Sequence, residues 1–283
     1  MKPAAFAYAK AKSVDHAVEL LAQDDGARVL AGGQSLIAAL NMRLDAPKRL
    51  VDVNGVAGLD GIAERDGQVE IGAMVRHAQA LRSPVIARLA PLIAQALPHV
   101  GHPAIRNRGT VGGSIALADP AAELPACLLA LSGEADISGP RGRRTVKADD
   151  FFRGLFDTAI EAGEILTAIR VPAASPTMRC GFAELARRHG DYALCGLAAS
   201  AHAANGGWDD LRLVFFGIGA MPLRARSAEK ALVGGGPDGI DNAVRALASE
   251  LDPEDDIQAK AKTKLHLAGV LLRRVVRQMQ EPA

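Results

Sequence analysis

The sequence predicts an α+β chain of three successive units, with boundaries at 1–57, 58–174 and 175–283, and three observations carry that expectation. The opening holds two short apolar strands around a short helix, and the first strand runs straight into Gly32-Gly33. The middle mixes strand and helix patterns that prolines interrupt repeatedly. The last part groups three strand patterns before its helices.

Each element has its own justification. Ser13 is an N-cap candidate, and Ala17, Val18 and Leu21 follow at the spacing of one helical face. Ala27-Arg-Val-Leu-Ala and Arg49-Leu-Val-Asp-Val read as strands, with a short helix over Leu36 to Leu44 between them. In the middle unit Gln68-Val-Glu-Ile-Gly-Ala alternates like a strand. Arg76 to Arg82 and Ser83 to Leu97 read as helical until Pro98, and Pro120 to Leu131 as an apolar helix with proline near its start. Pro172 and Pro176 mark passage to the third unit. Its strand candidates are Cys180 to Ala186, Ala193 to His202 and Leu211 to Gly217, followed by helices from Ser227 and from Lys260 to Gln280. In the last helix Leu265, Ala268, Leu272 and Val275 share a face, and Arg273, Arg274 and Arg277 fit a solvated, dipole-compatible end.

Composition narrows the function classes. The 283 residues are 49% hydrophobic and 23% charged, and 33 basic against 32 acidic residues leave a net charge of +1. Such a balance provides no basic field for nucleic acid or an acidic membrane. The longest apolar stretches fall well below the roughly 18 residues of a membrane span. The start carries Lys2, Lys10 and Lys12 around a short apolar stretch, less than the roughly 7 to 15 residues of a secretory core. A cytoplasmic location without a transmembrane segment is expected. Cys127, Cys180 and Cys195 lie far apart with no Cys-x-x-Cys pair, so any iron–sulfur cluster has to come from another chain.

The chemistry converges on two glycine motifs, Ala31-Gly-Gly-Gln-Ser35 and Thr110-Val-Gly-Gly-Ser114. Both read as turns at strand ends, where successive N–H groups face one concavity and a diphosphate approaches with no Cβ in its way. Neither matches Gly-x-Gly-x-x-Gly or the lysine-bearing phosphate loop. His99 and His102, beside Pro98 and Pro103, read as loop packing, and no catalytic or metal-ligating set stands out.

Ala31-Gly-Gly-Gln-Ser-Leu36, Asn41-Met-Arg-Leu, Ile105-Arg-Asn-Arg-Gly-Thr-Val-Gly-Gly-Ser-Ile-Ala116 and Asp119-Pro-Ala-Ala-Glu-Leu-Pro125 follow one another along the chain. With Asp150-Phe-Phe-Arg-Gly-Leu-Phe156, Gly163-Glu-Ile-Leu166 and Arg187-Arg-His-Gly-Asp-Tyr-Ala193, they resemble the FAD-binding medium subunit of aerobic carbon monoxide dehydrogenases and related molybdenum hydroxylases. The xanthine dehydrogenase flavin domain is a more distant likeness. The resemblance implies a vanillyl-alcohol-oxidase/PCMH-like FAD-binding fold: an N-terminal and a middle FAD-binding lobe, then a C-terminal flavoprotein domain built on a three-stranded antiparallel sheet with helices.

It also implies site residues. Ala31, Gly32, Gly33, Gln34, Ser35 and Leu36 hold the diphosphate end, and Thr110, Gly112, Gly113 and Ser114 close over it. Glu123 accepts from ribose or ribityl hydroxyls. Leu166 contacts the ring system and Tyr192 covers the isoalloxazine face. Taken alone, Glu123 also reads as a solvated first-turn residue and Tyr192 as half-buried core. Relatives often carry His at Gln34 and Lys at Glu184, and the second departure leaves the flavin potential open.

The function implied is electron transfer within a heterotrimer, with a large molybdopterin subunit, a small subunit bearing [2Fe–2S] clusters and an external electron acceptor, assembled as a dimer of heterotrimers. Two alternatives stand beside it: a self-contained flavin oxidase or reductase of the same fold, and a non-redox assembly subunit. Substrate and acceptor are open in all three.

Overall fold

The computed structural model describes residues 2–204, 207–234, 236 and 239–280. Strand β1 (Ala7–Lys10), helix α1 (Val14–Ala22), β2 (Arg28–Leu30), α2 (Leu36–Asn41) and β3 (Arg49–Asp52) form a parallel sheet in the order β1-β3-β2. Ser13 caps α1 by accepting from the His16 N–H, and the helix buries Ala17, Leu20 and Leu21. Strand β1 was invisible to pattern reading. Its side chains are mostly exposed, so no alternation marks it, and it is held by pairing to β3 and by the Tyr8 hydroxyl donating to Asp52.

The middle lobe is a five-stranded antiparallel sheet, β4-β5-β10-β6-β7, built from β4 (Ile62–Arg65), β5 (Gln68–Gly72), β6 (Glu134–Gly139), β7 (Gly142–Lys147) and β10 (Ile165–Pro172). Between β5 and β6 run α3 (His77–Leu81), α4 (Pro84–Leu89), α5 (Pro91–Ala96), α6 (Pro103–Arg108), α7 (Val111–Leu117) and α8 (Glu123–Ala130). After β7 come α9 (Ala148–Phe151) and the small hairpin of β8 (Phe152–Gly154) and β9 (Asp157–Thr158). The helix expected over Ser83 to Leu97 is two helices. Pro91 provides no N–H and turns Ala90 out of the helical region (φ −134°, ψ 59°), so the chain breaks there and restarts with Pro91 in the first turn. Helix α8 likewise begins at Glu123, three residues later than Pro120, because Asp119 forms a local turn by accepting from the Ala121 N–H.

The C-terminal sheet is antiparallel, β11-β12-β13-β14, from β11 (Met178–Ala186), β12 (Ala193–Ala204), β13 (Gly207–Phe216) and β14 (Leu223–Arg224). It has four strands, where three were expected; the fourth is two residues long, too short to show a period of two. Helices α10 (Arg226–Gly234), α11 (Gly239–Glu250) and α12 (Ala261–Gln280) cover one face over Ala183, Leu197, Leu213 and Phe215. The opposite face presents Phe182, Ala198, Val214 and Phe216 to the core of the middle lobe. Alternation along β11 therefore sends residue 184, like 182, toward that lobe. Among the described residues no helix is long and apolar enough to cross a membrane.

Candidate cofactor site

The first glycine motif lies between β2 and α2, as a strand-end turn. Gly33 sits at φ +72°, a conformation that favours glycine. Among the described residues the backbone N–H groups of Gly32, Gly33, Gln34 and Ser35 have no acceptor within the chain, so four donors are free. Gly32, Gly33 and Gln34 border an open cleft of about 550 Å³ that Asp52, Asn54 and Arg108 also line. Free N–H groups beside an arginine suit a phosphate oxygen.

The second motif departs from expectation. Thr110-Val-Gly-Gly-Ser114 is the start of α7, with Thr110 as N-cap, and is not a turn at a strand end. Its N–H groups are engaged by the fold: Val111 donates to Val75 O (2.9 Å), Gly112 to Ala73 O (2.9 Å), Gly113 to Thr110 Oγ1 (3.0 Å) and Ser114 to Thr110 O (3.1 Å). These backbone donors are therefore taken up within the fold. Tertiary structure still brings the two motifs together, since a Cβ on Gly32 would fall 2.5 Å from Arg108 O and 2.8 Å from the Gly109 Cα.

Pattern reading missed the polar brace beneath this junction. The Asn54 side-chain amide donates to Ala31 O (2.9 Å) and to Asp52 Oδ1 (2.7 Å), and the Arg76 guanidinium reaches both Asn54 Oδ1 and Arg108 O. It thereby ties the β2 and β3 ends to the end of α6. Asn54 and Arg76 lie in no motif that a local pattern singles out. Arg108 lies within the Ile105–Ala116 motif, where residue type alone gives it no role.

Glu123, Leu166 and Tyr192 occupy three different settings. Leu166 is buried in the middle-lobe core beside its strand partner Ile137. Tyr192 lies in the loop before β12 and is 69% exposed, so it is not strand core. Glu123 is only 8% exposed, which removes the solvated first-turn reading. Burial pushes its carboxyl up to about 8. A raised value means that the folded chain keeps the proton while the unfolded chain releases it. Stability is then lost as pH rises from near the ordinary value of 4.5 toward 8. Glu123→Gln should match the parent at pH 4 and exceed it by about 2–5 kcal/mol at pH 8. Urea unfolding at both pH values measures this, and equal differences at the two would remove the assignment.

Beside Glu123, His99 Nδ1 lies 3.3 Å from Glu184 Oε1. Its ring packs on Phe182 (5.2 Å between centroids) and on His189 (5.8 Å). The hydrogen bond to Glu184 raises the imidazole above its ordinary value. His99 thus does more than the loop packing read from sequence.

Two family models account for this arrangement. One, described as the FAD binding domain in molybdopterin dehydrogenase, matches residues 4–174, and the other, the CO dehydrogenase flavoprotein C-terminal domain, matches residues 181–279. The chain belongs to the FAD-binding medium subunits of the molybdenum hydroxylase family. This medium subunit is 38% identical over 278 residues to the nicotine 6-hydroxylase medium subunit of Paenarthrobacter nicotinovorans, covering 98% of each chain. It is 34% identical to the carbon monoxide dehydrogenase medium chain of Hydrogenophaga pseudoflava, covering 98% of this chain and 97% of that one. Among solved structures, carbon monoxide dehydrogenase from Hydrogenophaga pseudoflava superposes with a TM-score of 0.96 at 35% identity, over 99% of this medium subunit and 98% of that chain. Quinoline 2-oxidoreductase from Pseudomonas putida 86 gives 0.94 at 36% identity, over 100% and 99%. The fold is therefore the two-lobed α+β FAD-binding fold with a C-terminal sheet and helices, and the subunit is part of an oxidoreductase.

Proposed function

We propose that this medium subunit holds FAD between its two N-terminal lobes and conducts electrons within a heterotrimer, from [2Fe–2S] clusters of a small partner subunit to an external acceptor, while a large partner subunit carries the molybdenum–pterin centre. The observation that carries the reading is the free-donor turn at Gly32–Ser35 pressed against Arg108–Gly109, a cradle for an anionic diphosphate. When bound, flavin supplies the capacity to take electrons singly and release a pair. The chain's own residues bind and orient it. Ala31, Gly32, Gly33, Gln34, Ser35 and Leu36 form the wall around the diphosphate. Thr110, Gly112, Gly113 and Ser114 shape the opposing wall. Glu123 meets cofactor hydroxyls, Leu166 backs the ring site from the core, and Tyr192 offers an exposed ring to one face.

The same reading divides the chain at 1–57, 58–174 and 175–283, places it in the cytoplasm, and assembles it as a dimer of heterotrimers. Names of relatives that combine a medium subunit or chain with distinct substrates support assigning substrate choice to another subunit.

The test is the full chain purified alone and with its partners. FAD released on denaturation should be near stoichiometric in both, with iron and molybdenum only in the complex. Stoichiometric iron or molybdenum on the chain alone, or no FAD in either preparation, would overturn the division of labour. Tyr192→Ala in the complex should retain most FAD, because one stacked ring contributes only about 0.5–1.5 kcal/mol beyond burial. It should alter the flavin absorption band and the reoxidation rate; an unchanged band and rate would remove Tyr192 from the ring face.

A further inference from the structure

The carbonyl at the junction of the two glycine motifs is itself held by a side chain from elsewhere in the middle lobe. A Cβ on Gly32 would fall 2.5 Å from Arg108 O, and that same oxygen accepts from the Arg76 guanidinium. The other arm of the guanidinium donates to Asn54 Oδ1. Asn54 has no freedom to turn its amide over. Its Nδ2 donates to Ala31 O (2.9 Å) and to Asp52 Oδ1 (2.7 Å), which leaves Oδ1 toward Arg76. Asp52 is fixed in turn by the Tyr8 hydroxyl and by the Asn54 N–H. From Ala31 through Asn54 and Arg76 to Arg108 the bonds form a closed circuit with the Gly32–Arg108 contact, and Arg76 is the link that crosses from the first lobe to the second.

Arg76 is held at its own end as well, because its segment pairs with the stretch it reaches for. The Val111 N–H donates to Val75 O (2.9 Å), the His77 N–H donates to Gly109 O (3.1 Å), and Arg76 lies opposite Thr110. The buried His77 ring backs the same turn, since a Cβ on Gly109 would fall 3.0 Å from its Nδ1. Charge separates the roles of the two arginines. Burial and the neighbouring Arg108 charge lower the Arg76 guanidinium from its ordinary value, and Asp52 opposes them. Arg108 lines the open cleft, whereas Arg76 does not and turns its fork into the protein.

We propose that Arg76 is a positioning residue for the flavin cofactor: by clasping Asn54 of the first lobe and the Arg108 carbonyl of the second, it sets the spacing between the free N–H groups of residues 32–35 and Arg108. It acts through these groups and does not touch the cofactor. The inference rests on the flavin reading and adds a demand for shape. A planar fork with acceptors in two lobes is needed, which the single ammonium of a lysine does not supply.

The experiment is FAD titration of the deflavinated full chain by fluorescence quenching, with circular dichroism and thermal unfolding of the same cofactor-free samples. Arg76→Met, which keeps the stem and removes the fork, should weaken FAD binding about tenfold in a folded chain, because the cradle is no longer pre-organised. Its cofactor-free melting midpoint should fall by no more than about 6 °C, the scale of the lost hydrogen bonds. Arg76→Lys keeps the charge without the fork and should bind as weakly as Arg76→Met, within about threefold. Asn54→Leu should weaken binding to a similar degree. The double variant of Arg76→Met with Asn54→Leu should lose no more than about threefold beyond the weaker-binding single variant, since both act through one circuit. If Arg76→Met does not fold, Arg76→Lys and Asn54→Leu, singly and combined, carry the same comparison. Affinity within about twofold of the parent in Arg76→Met, with normal FAD binding by the parent, would overturn the positioning role and leave the flavin reading intact. Parental affinity in Arg76→Lys beside weak binding in Arg76→Met would overturn it as well, because charge alone would then suffice. Losses that multiply in the double variant would overturn the shared circuit. A parent chain that takes up no FAD would overturn both readings.

Discussion

Gly112→Ala is expected to destabilise the chain by about 3 kcal/mol or more, with or without cofactor, whereas Gly113→Ala stays within about 1 kcal/mol of the parent. The two glycines are neighbours in one helical turn, yet they face different obstacles. A Cβ on Gly112 would lie 2.4 Å from the Ala73 Cβ, 2.5 Å from its Cα and 2.6 Å from its carbonyl oxygen. The Gly112 N–H also donates to that carbonyl, so the helix cannot slide away without losing the bond that joins α7 to the segment after β5. On Gly113 the obstacle within 3 Å is the Thr110 hydroxyl, at 2.7 Å. That cap can rotate aside, at a cost of about 1 kcal/mol, and alanine's helix preference over glycine offsets about as much. At about 2–4 °C per kcal/mol, Gly112→Ala should melt roughly 6–12 °C lower. Scanning calorimetry of the two cofactor-free variants separates the cases. Equal melting temperatures with equal flavin loss would instead mean that both glycines exist to admit the ligand.

The second large effect concerns the cofactor and leaves the fold standing. Gly32→Ala should lower FAD affinity by at least tenfold in a chain that remains folded. Its Cβ would meet Arg108 O at 2.5 Å and the Gly109 Cα at 2.8 Å, both backbone atoms. Relief requires the first turn to move off the end of α6, and that movement separates the free donors of residues 32–35 from Arg108. The sheet of β1, β3 and β2 does not depend on this contact, because its ladder ends at Leu30 and Asp52. Gly61→Ala serves as the control: no atom lies within 4 Å of its added Cβ, and its φ is not in the left-handed range. Equilibrium dialysis against FAD, with circular dichroism of the same samples, reads both properties. Full flavin occupancy in Gly32→Ala would show that the junction of the two motifs is not where the diphosphate rests.

Elements with a strong local signal were legible. Helix α1 follows from Ser13 and its apolar face, and α12 from a twenty-residue pattern whose arginines at 273, 274 and 277 are all exposed. The long strands of the C-terminal sheet follow from alternation and the prolines before them. Strands β1 and β14 were not legible, because the side chains of the first are mostly exposed and the second is only two residues long, so neither has a period to read. Their existence depends on the partner strand's hydrogen bonds.

The sequence by itself determined that two glycine motifs matter, that no cluster-forming cysteine spacing is present, and that the ordered motifs from Ala31 to Tyr192 resemble a flavin-binding subunit. Those are properties of residue type and spacing, which survive without coordinates. Tertiary structure alone decided what each glycine is for: Gly32 and Gly112 clear opposing backbones, Gly33 supplies a positive φ, and Gly113 makes room for a cap. It also decided that Glu123 is buried, which pushes its carboxyl up to about 8, and that His99 and Glu184, 85 positions apart in the chain, meet at 3.3 Å. The physical reason is the same in each case. A side chain's charge state and clearance are set by atoms that approach it from other elements, and no local pattern encodes which element will be there.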